Sequence, residues 1–330
     1  MAGTKDVFVF LVVIGSCLTF GIFLYTRYVP YSMPTIKDAG IQLSDAITKE
    51  ETTCPPPLGV NLSLASKLSG YTPLSYHTNY SRNTFTIVMP TYGRSAQLPQ
   101  ILTHYCGISN VAKILVLWNN IGVQVPGPIK DFKCQVPLKI KIMEENKLTS
   151  RFVPYPEIET EAIYAVDDDR MVDPVGMEKG FEAWKAFPHL IVGFCERSHS
   201  FKNGRYKYSG GKSYSMILTN SVFLHRMYLK MFTESLPHSI HAFIDKNMNG
   251  EDIAMNAMVA DYLKKLDRPQ CPCVKVKGST KEIHMKPTKP GQYVSLYHRG
   301  NHMKKRDECL NLIANEYKYM PLIPCKFVIT

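Results

Sequence analysis

The chain has 330 residues, 45% of them apolar and 11% aromatic, which excludes a disordered or low-complexity protein and leaves room for one large domain or two small ones. Lys and Arg number 39 against 28 Asp and Glu, and the resulting formal charge of +11 points to an anionic partner or surface. Nucleic acid is disfavoured as that partner: the densest basic stretch, Lys264 to Lys289, has no interleaved Phe, Trp or Tyr and belongs to no nucleic-acid motif.

Residues 1–6 read as a short tail, and Val7 to Tyr25, "VFVFLVVIGSCLTFGIFLY", runs without a charge. About 20 such residues let a helix cross a bilayer. No small-residue cleavage site follows, so an uncleaved membrane anchor is expected there. Two glycosylation triplets, Asn61-Leu62-Ser63 and Asn79-Tyr80-Ser81, follow it and make sense only in a lumenal segment. Together with the cysteine content they predict a type II protein of the endoplasmic reticulum or Golgi membrane. Outside the anchor stand Cys54, Cys106, Cys134, Cys195, Cys271, Cys273, Cys309 and Cys325, whose pairing spacing alone does not give. The "CPC" at 271–273 lacks a second metal-ligand pair and reads as a stapled loop rather than a zinc site.

From residue 26 to 82 the chain is rich in Pro, Ser, Thr and Gly without periodicity, as in a stem or linker. From residue 83 short apolar runs alternate with helical patterns. "TFTIVMP", "AKILVLWNN", "LKIKIME" and "AIYAV" read as strands and "SAQLPQILTHY" as a helix. This alternation predicts an α/β domain over 83–330 with a mostly parallel central sheet. Residues 83–172 form its ligand-binding half and 173–330 its acceptor-side half. In the latter, "GMEKGFEAWKAF" reads as an amphipathic helix, "KNGRYKYSGGKSYSMILTNSVFL" as hairpins, and "NGEDIAMNAMVADYLKKL" as a turn opening a helix.

Ligands of parallel sheets gather at the carboxyl ends of the strands. Here those ends read "PTYGR", "WNNIG", "EENK" and "DDDR", which are expected to share one edge. Neither G-x-G-x-x-G nor G-x-x-x-x-G-K-[ST] occurs in the first loop, which disfavours a dinucleotide or P-loop enzyme. The three aspartates Asp167, Asp168 and Asp169 have two readings. One is an acidic turn. The other is an oxygen-ligand site for Mg²⁺ or Mn²⁺, with Asp167 and Asp169 on one side of the strand end and Arg94, Arg151 and Arg170 available for phosphate oxygens. Asp252 reads either as a helix cap or as a functional carboxylate at a helix amino terminus.

The motifs "VMPTYGR", "LWNNIG", "IETEAIYAVDDD", "GEDIAMN" and "LYHRGNH", in this order, resemble the exostosin-like glycosyltransferase domain, glycosyltransferase family 64, and within it the short single-domain members. The resemblance implies a Rossmann-like nucleotide-sugar transferase fold of the GT-A type. It also implies Mn²⁺ and transfer of N-acetylglucosamine or N-acetylgalactosamine from a UDP-sugar to a glycan acceptor with retention. It assigns Arg94 and Asn119 to the uridine end, Asn146 and Arg151 to the nucleotide or donor sugar, and Asp167 and Asp168 to the ribose and sugar. Asp169 falls to the metal, Asp252 to the catalytic carboxylate and Arg299 to the diphosphate. The sequence departs from the family at Pro90, where the short members carry Gln; at Gly250, where they carry a cysteine; and at Glu251, which replaces an aspartate. Cys309 matches the partner of that missing cysteine, and is expected to be free or paired with Cys271, Cys273 or Cys325. These departures admit a second reading, a non-catalytic glycan-binding protein whose basic segment 264–289 grips an acidic polysaccharide.

Overall fold

The computed structural model describes residues 8–11, 22–25, 80–210, 213–266, 271–283, 301–326 and 328–330. Near the amino terminus β1 (Phe8–Leu11) pairs antiparallel with β2 (Ile22–Tyr25). Within the expected apolar helix over 7–25 these eight residues are extended, while residues 7 and 12–21 lie outside the described residues. Both runs consist of Phe, Val, Ile, Leu and Tyr, which favour extended backbone, and each ladder satisfies the other's peptide groups. Among the described residues no helix is long and apolar enough to cross a membrane. The rest of the expected anchor, the stem up to residue 79, Asn61, Asn79, Cys17 and Cys54 lie outside the described residues.

From residue 81 the described chain runs through β3 (Ser81–Thr91), α1 (Leu98–Cys106), β4 (Val111–Trp118), α2 (Gly127–Lys130) and β5 (Leu138–Ile142). A 3-10 turn (Leu148–Phe152) leads to β6 (Thr160–Val166), β7 (Arg170–Val172) and α3 (Pro174–Ala186). Then come β8 (Ile191–Gly193), the hairpin β9 (Glu196–Lys202) and β10 (Arg205–Ser209), β11 (Met216–Ile217) and β12 (Ser221–His225). Three helices follow, α4 (Met227–Ser235), α5 (His238–Asn247) and α6 (Glu251–Lys265). The chain closes with β13 (Cys273–Val276), β14 (Thr280–Glu282), α7 (His302–Tyr317) and β15 (Val328–Ile329).

Eight strands form the main sheet in the order β15-β13-β8-β12-β6-β3-β4-β5. All neighbours are parallel except along β12, which runs against both β6 and β8. The expected mostly parallel sheet is therefore present. Since β3, β4, β5 and β6 run in one direction, the loops that follow them emerge at one edge.

Burial follows the sequence pattern. β6 is buried at every position, as befits a strand covered on both faces. Phe85 of β3 meets Phe223 of β12 edge-on at 5.0 Å and Phe181 of α3 at 4.9 Å, while Tyr164 lies 4.7 Å from Phe223. Pairs of this kind add about 0.5–1.5 kcal/mol each beyond their buried area. Helix α3 comes this close because Gly180 has no side chain: a Cβ there would stand 2.8 Å from the Phe223 ring. Its amino terminus is capped by Asp173, whose Oδ1 accepts from the Gly176 amide at 2.8 Å. Helix α6 was expected to bury one side, yet every residue from Asp252 to Leu263 is buried. The reason is that α4, α7 and β11 all pack around it.

Among the described residues there are two disulfides, Cys106–Cys134 and Cys271–Cys325. The first ties the end of α1 to the segment before β5, and the second staples the "CPC" loop to the carboxyl-terminal segment, as the loop reading expected. Cys195, Cys273 and Cys309 carry free thiols.

Candidate active site

The aspartate triplet lies just past the end of β6. The strand stops at Val166, and the Arg170 amide donates to the Asp167 carbonyl at 3.1 Å, closing a tight turn. Strand alternation therefore does not govern these side chains, and the expected pairing of Asp167 with Asp169 on one side is replaced by another division. Arg94, in the loop after β3, takes Asp168 and Asp169 together: Nη1 donates to Asp168 Oδ1 at 2.5 Å and Nη2 to Asp169 Oδ2 at 2.8 Å. Asp167 turns instead to Arg151, which is buried in the 3-10 turn and whose Nη1 also faces Glu251 Oε1 at 3.5 Å. The two arginines thus share out three carboxylates from one turn and add a fourth from α6.

Burial and like charge shape the protonation of this cluster. Asp169 is pushed up to about 7, first by burial and then by Asp167, Asp168 and Glu282, with Arg94 opposing. Asp168 is also raised by burial, against the pull of Arg94. Asp167 goes the other way: burial works against its carboxylate, but Arg151, Arg94 and Arg170 outweigh it. Glu251 is pushed up to about 7 by burial and by Asp252, while Arg151 and Arg306 oppose. Arg170 is less central than its position suggests, since its Nη2 pairs with Glu282 Oε2 at 2.9 Å where β7 meets β14.

The strand-end asparagines complete the same edge. The Asn119 amide donates to the Thr91 carbonyl at 3.0 Å, and Asn120 Oδ1 accepts from the Gly93 amide at 2.7 Å, so the loops after β3 and β4 are fastened together. Gln97 Nε2 reaches the Asp168 carbonyl at 3.2 Å. Six buried polar atoms of this edge have no hydrogen-bond partner among the described residues: Thr91 Oγ1, Gln97 Oε1, Asn119 Oδ1, Asn120 Nδ2, Arg151 Nε and Asp168 Oδ2. Buried polar groups are nearly always satisfied, and such a concentration marks a place for a ligand's polar atoms. Asn146 lies half-buried in the loop from β5 to the 3-10 turn that bears Arg151.

Asp252 sits in the first turn of α6 and is buried. It is not the cap. Gly250 holds that position with a φ of 95°, and Asp252 Oδ1 accepts from the Ile253 amide at 2.8 Å. Its Oδ2 is paired with Arg306 of α7, whose Nη1 also donates to Asn249 Oδ1 at 3.2 Å and whose guanidinium lies 4.2 Å from the Tyr208 ring centre. The Arg306 charge is reinforced despite burial, because Asp252, Tyr208 and Glu251 surround it. Sequence reasoning missed Arg306, Asn249 and Tyr208. Arg306 belongs to the run "HMKKRDE", which reads as an exposed helix face and gives no local sign of a buried charge. Arg299 lies outside the described residues.

Two of the three departures from the resembled family, Gly250 and Glu251, fall here, while Pro90 lies in β3. Gly250 is in contact with Cys309: a Cβ at position 250 would stand 2.6 Å from the Cys309 sulfur. Cys309 itself is free and buried, and burial raises its thiol pKa. Of its suggested partners, Cys271 and Cys325 bond to each other and Cys273 carries a free thiol. Of the basic segment 264–289, residues 267–270 and 284–289 lie outside the described residues, and Lys277 and Lys281 are exposed. Lys265 pairs with Asp261 at 2.8 Å, Lys264 covers the Tyr319 ring at 3.6 Å, and Lys275 pairs with Glu196.

Comparison with known proteins gives the chain a family. The model of the glycosyl transferase family 64 domain matches residues 85–330. Human Exostosin-like 2 is 34% identical over 253 residues, covering 73% of this chain and 74% of that protein. Bovine Exostosin-2 is 33% identical over 251 residues, which cover 72% of this chain but 33% of the longer relative. An Arabidopsis thaliana protein named glycosylinositol phosphorylceramide mannosyl transferase 1 is 29% identical over 294 residues, 81% of this chain and 79% of its own. With its matched region running from the first core strand to the last residue, the chain belongs to the exostosin family of glycosyltransferases, family 64.

Proposed function

We propose that the protein is a retaining, Mn²⁺-dependent transferase that moves an N-acetylhexosamine from a UDP-sugar to a glycan acceptor. The observation that carries this reading is the edge where Arg94 and Arg151 gather Asp167, Asp168, Asp169 and Glu251 beside unsatisfied Asn119 and Asn120 atoms. A nucleotide diphosphate with its sugar supplies the donors and acceptors that such an edge lacks. In this reading the fold is of the GT-A type, Asn119 and Arg94 face the uridine end, and Asn146, Arg151, Asp167 and Asp168 face the ribose and donor sugar.

The donor set fits a hard divalent ion, because the turn offers carboxylate oxygens, and Asp169 is pushed up to about 7 by burial first and then by Asp167. Asp169 would hold the ion, which when bound supplies charge neutralisation at the diphosphate. The remaining work belongs to the chain. Arg94 orients two of the carboxylates, and Arg151 ties the turn to the start of α6. Asp252, held by Arg306 and the Ile253 amide, faces the anomeric carbon and stabilises its positive charge or attacks it, as one carboxylate does in retaining glycosidases. Arg299 keeps its assignment to the departing UDP on the resemblance alone. The two disulfides and the pair of glycosylation triplets support a lumenal, oxidising compartment, the endoplasmic reticulum or Golgi.

The test is UDP release by the full chain from a panel of UDP-sugars with Mn²⁺, alongside Asp169→Ala and Asp252→Ala. A mannose donor belongs in the panel because the Arabidopsis relative is named a mannosyl transferase. Turnover of a UDP-N-acetylhexosamine that both substitutions abolish is expected. Release from no UDP-sugar, with UDP binding indifferent to Mn²⁺, refutes the proposal.

A further inference from the structure

The hairpin of β9 and β10 projects from the Asp252 side of the site and has a role not yet accounted for. Its register pairs His199 with Tyr208 and Phe201 with Tyr206. Cross-strand partners and residues two apart share a face of the ribbon, so these four rings stand on one side. Three of them form a track of ring contacts, His199 to Tyr206 at 5.9 Å between centroids and Tyr206 to Phe201 at 4.9 Å, with Tyr208 next along the same face. At its inner end Tyr208 carries the guanidinium of Arg306, the residue that holds Asp252. At its outer end Phe201 is 62% exposed, the largest exposure of a large hydrophobic side chain among the described residues.

The hairpin is also held rigidly. Asn311 of α7 brackets Tyr206, accepting from its amide at 3.0 Å and donating to its carbonyl at 2.8 Å, and Asp307 accepts from the Tyr208 amide at 2.7 Å. Residues 197–208 contain Arg197, Lys202, Arg205 and Lys207 and no acidic residue. Lys207 is paired with Asp307 at 3.0 Å, whereas exposed Lys202 and Arg205 have no ionic partner among the described residues.

We infer that this hairpin is the surface on which an acidic glycan acceptor lies, its sugar rings stacked along Tyr206 and Phe201 and its carboxylate or sulfate groups drawn by Lys202 and Arg205. Aromatic faces offer apolar contact to the carbon-bound hydrogens of a pyranose, and the positive field draws a polyanion to the ribbon. The track ends at Arg306 and Asp252, which delivers the chain's growing end to the carboxylate. This rests on the reading of Asp252 as the centre of transfer. Single-stranded nucleic acid also stacks on aromatic rings beside basic groups, and the family assignment favours the glycan.

The test measures binding of a hyaluronan decasaccharide, a neutral N-acetylglucosamine oligomer and a single-stranded DNA oligonucleotide to the full chain, with UDP binding recorded on the same preparation. Phe201→Ala is expected to weaken hyaluronan binding about tenfold, and Phe201→Tyr, which keeps a ring, to restore it. The double substitution Lys202→Ala with Arg205→Ala is expected to erase the preference for hyaluronan over the neutral oligomer. Hyaluronan affinity indifferent to Phe201→Ala, no hyaluronan binding by the unaltered chain, or equal ring-dependent binding of the DNA overturns the inference. UDP binding with ring-independent glycan binding defeats this surface alone. Ring-dependent glycan binding without any UDP binding defeats the transferase reading and leaves the surface standing.

Discussion

Arg306 and Asp252, 54 residues apart, form a buried ion pair whose two ends are each held by a further contact. The Ile253 amide fixes the carboxylate, and the Asn249 side chain and Tyr208 ring fix the guanidinium. Breaking such a pair from one side strands a buried charge, which typically costs about 3–5 kcal/mol. Arg306→Ala is therefore expected to lose about that much stability in denaturant unfolding. Removing both charges, with Arg306→Met and Asp252→Leu, is expected to recover a large part of the loss. A single variant as stable as the unaltered protein would contradict the pairing.

Position 250 admits no side chain without a rearrangement. Its φ of 95° is strained for any L residue, and the new Cβ would press on the Cys309 sulfur at 2.6 Å. Gly250→Ala is expected to destabilise the protein by about 1–3 kcal/mol. Cys309→Ala should relieve part of that cost, giving a coupling above about 0.5 kcal/mol in a double-mutant cycle. Additive effects would show that Cys309 does not set the constraint.

The disulfide Cys106–Cys134 closes a loop of 28 residues. The chain-entropy relation gives a loop of that length about 3–4 kcal/mol. Replacing both cysteines by alanine is expected to lower the denaturation midpoint by the corresponding amount, with the slope of the transition compared to detect changes in the unfolded state. No change in midpoint would mean that the bond adds nothing to stability.

His225 is pushed down to about 3, by burial first and then by Arg82, Arg226 and His189. Glu161 Oε2 lies 3.8 Å from its Nε2 but faces Arg82 at 2.6 Å, and it does not reverse the shift. The folded state therefore keeps this imidazole neutral where the unfolded chain, with a pKa of about 6.5, binds a proton. Below that value the unfolded state holds more protons, so stability is complete above pH 6.5 and falls as the pH drops. The limiting slope from one group is about 1.4 kcal/mol per pH unit. Asp169 and Glu251, both pushed up to about 7, take up protons in the folded state over the same range and oppose this fall. Unfolding measured between pH 7 and pH 5 should therefore show His225→Gln gaining stability relative to the unaltered chain as the pH drops. An unchanged profile in that variant would remove His225 as a cause of the fall.

Sequence pattern alone marked four strands of the main sheet, a mostly parallel arrangement and the loops that meet at one edge, because apolar runs of strand length alternating with helical patterns permit few arrangements. Arg94, Arg151 and the three aspartates were legible as a group for the same reason. The main sheet alone does not fix which arginine serves which aspartate. Strand alternation had put Asp167 with Asp169, but the chain turns at Val166, and Arg94 instead spans Asp168 and Asp169. Arg306 was invisible in a run of exposed-looking charges, because its burial depends on β10 and α6 closing over α7. The free state of Cys309 likewise follows from the approach of Gly250 and from Cys271 bonding to Cys325. Local pattern sets which faces are buried, while only the tertiary structure sets which charges meet, since ion pairing depends on distances between segments far apart in the chain.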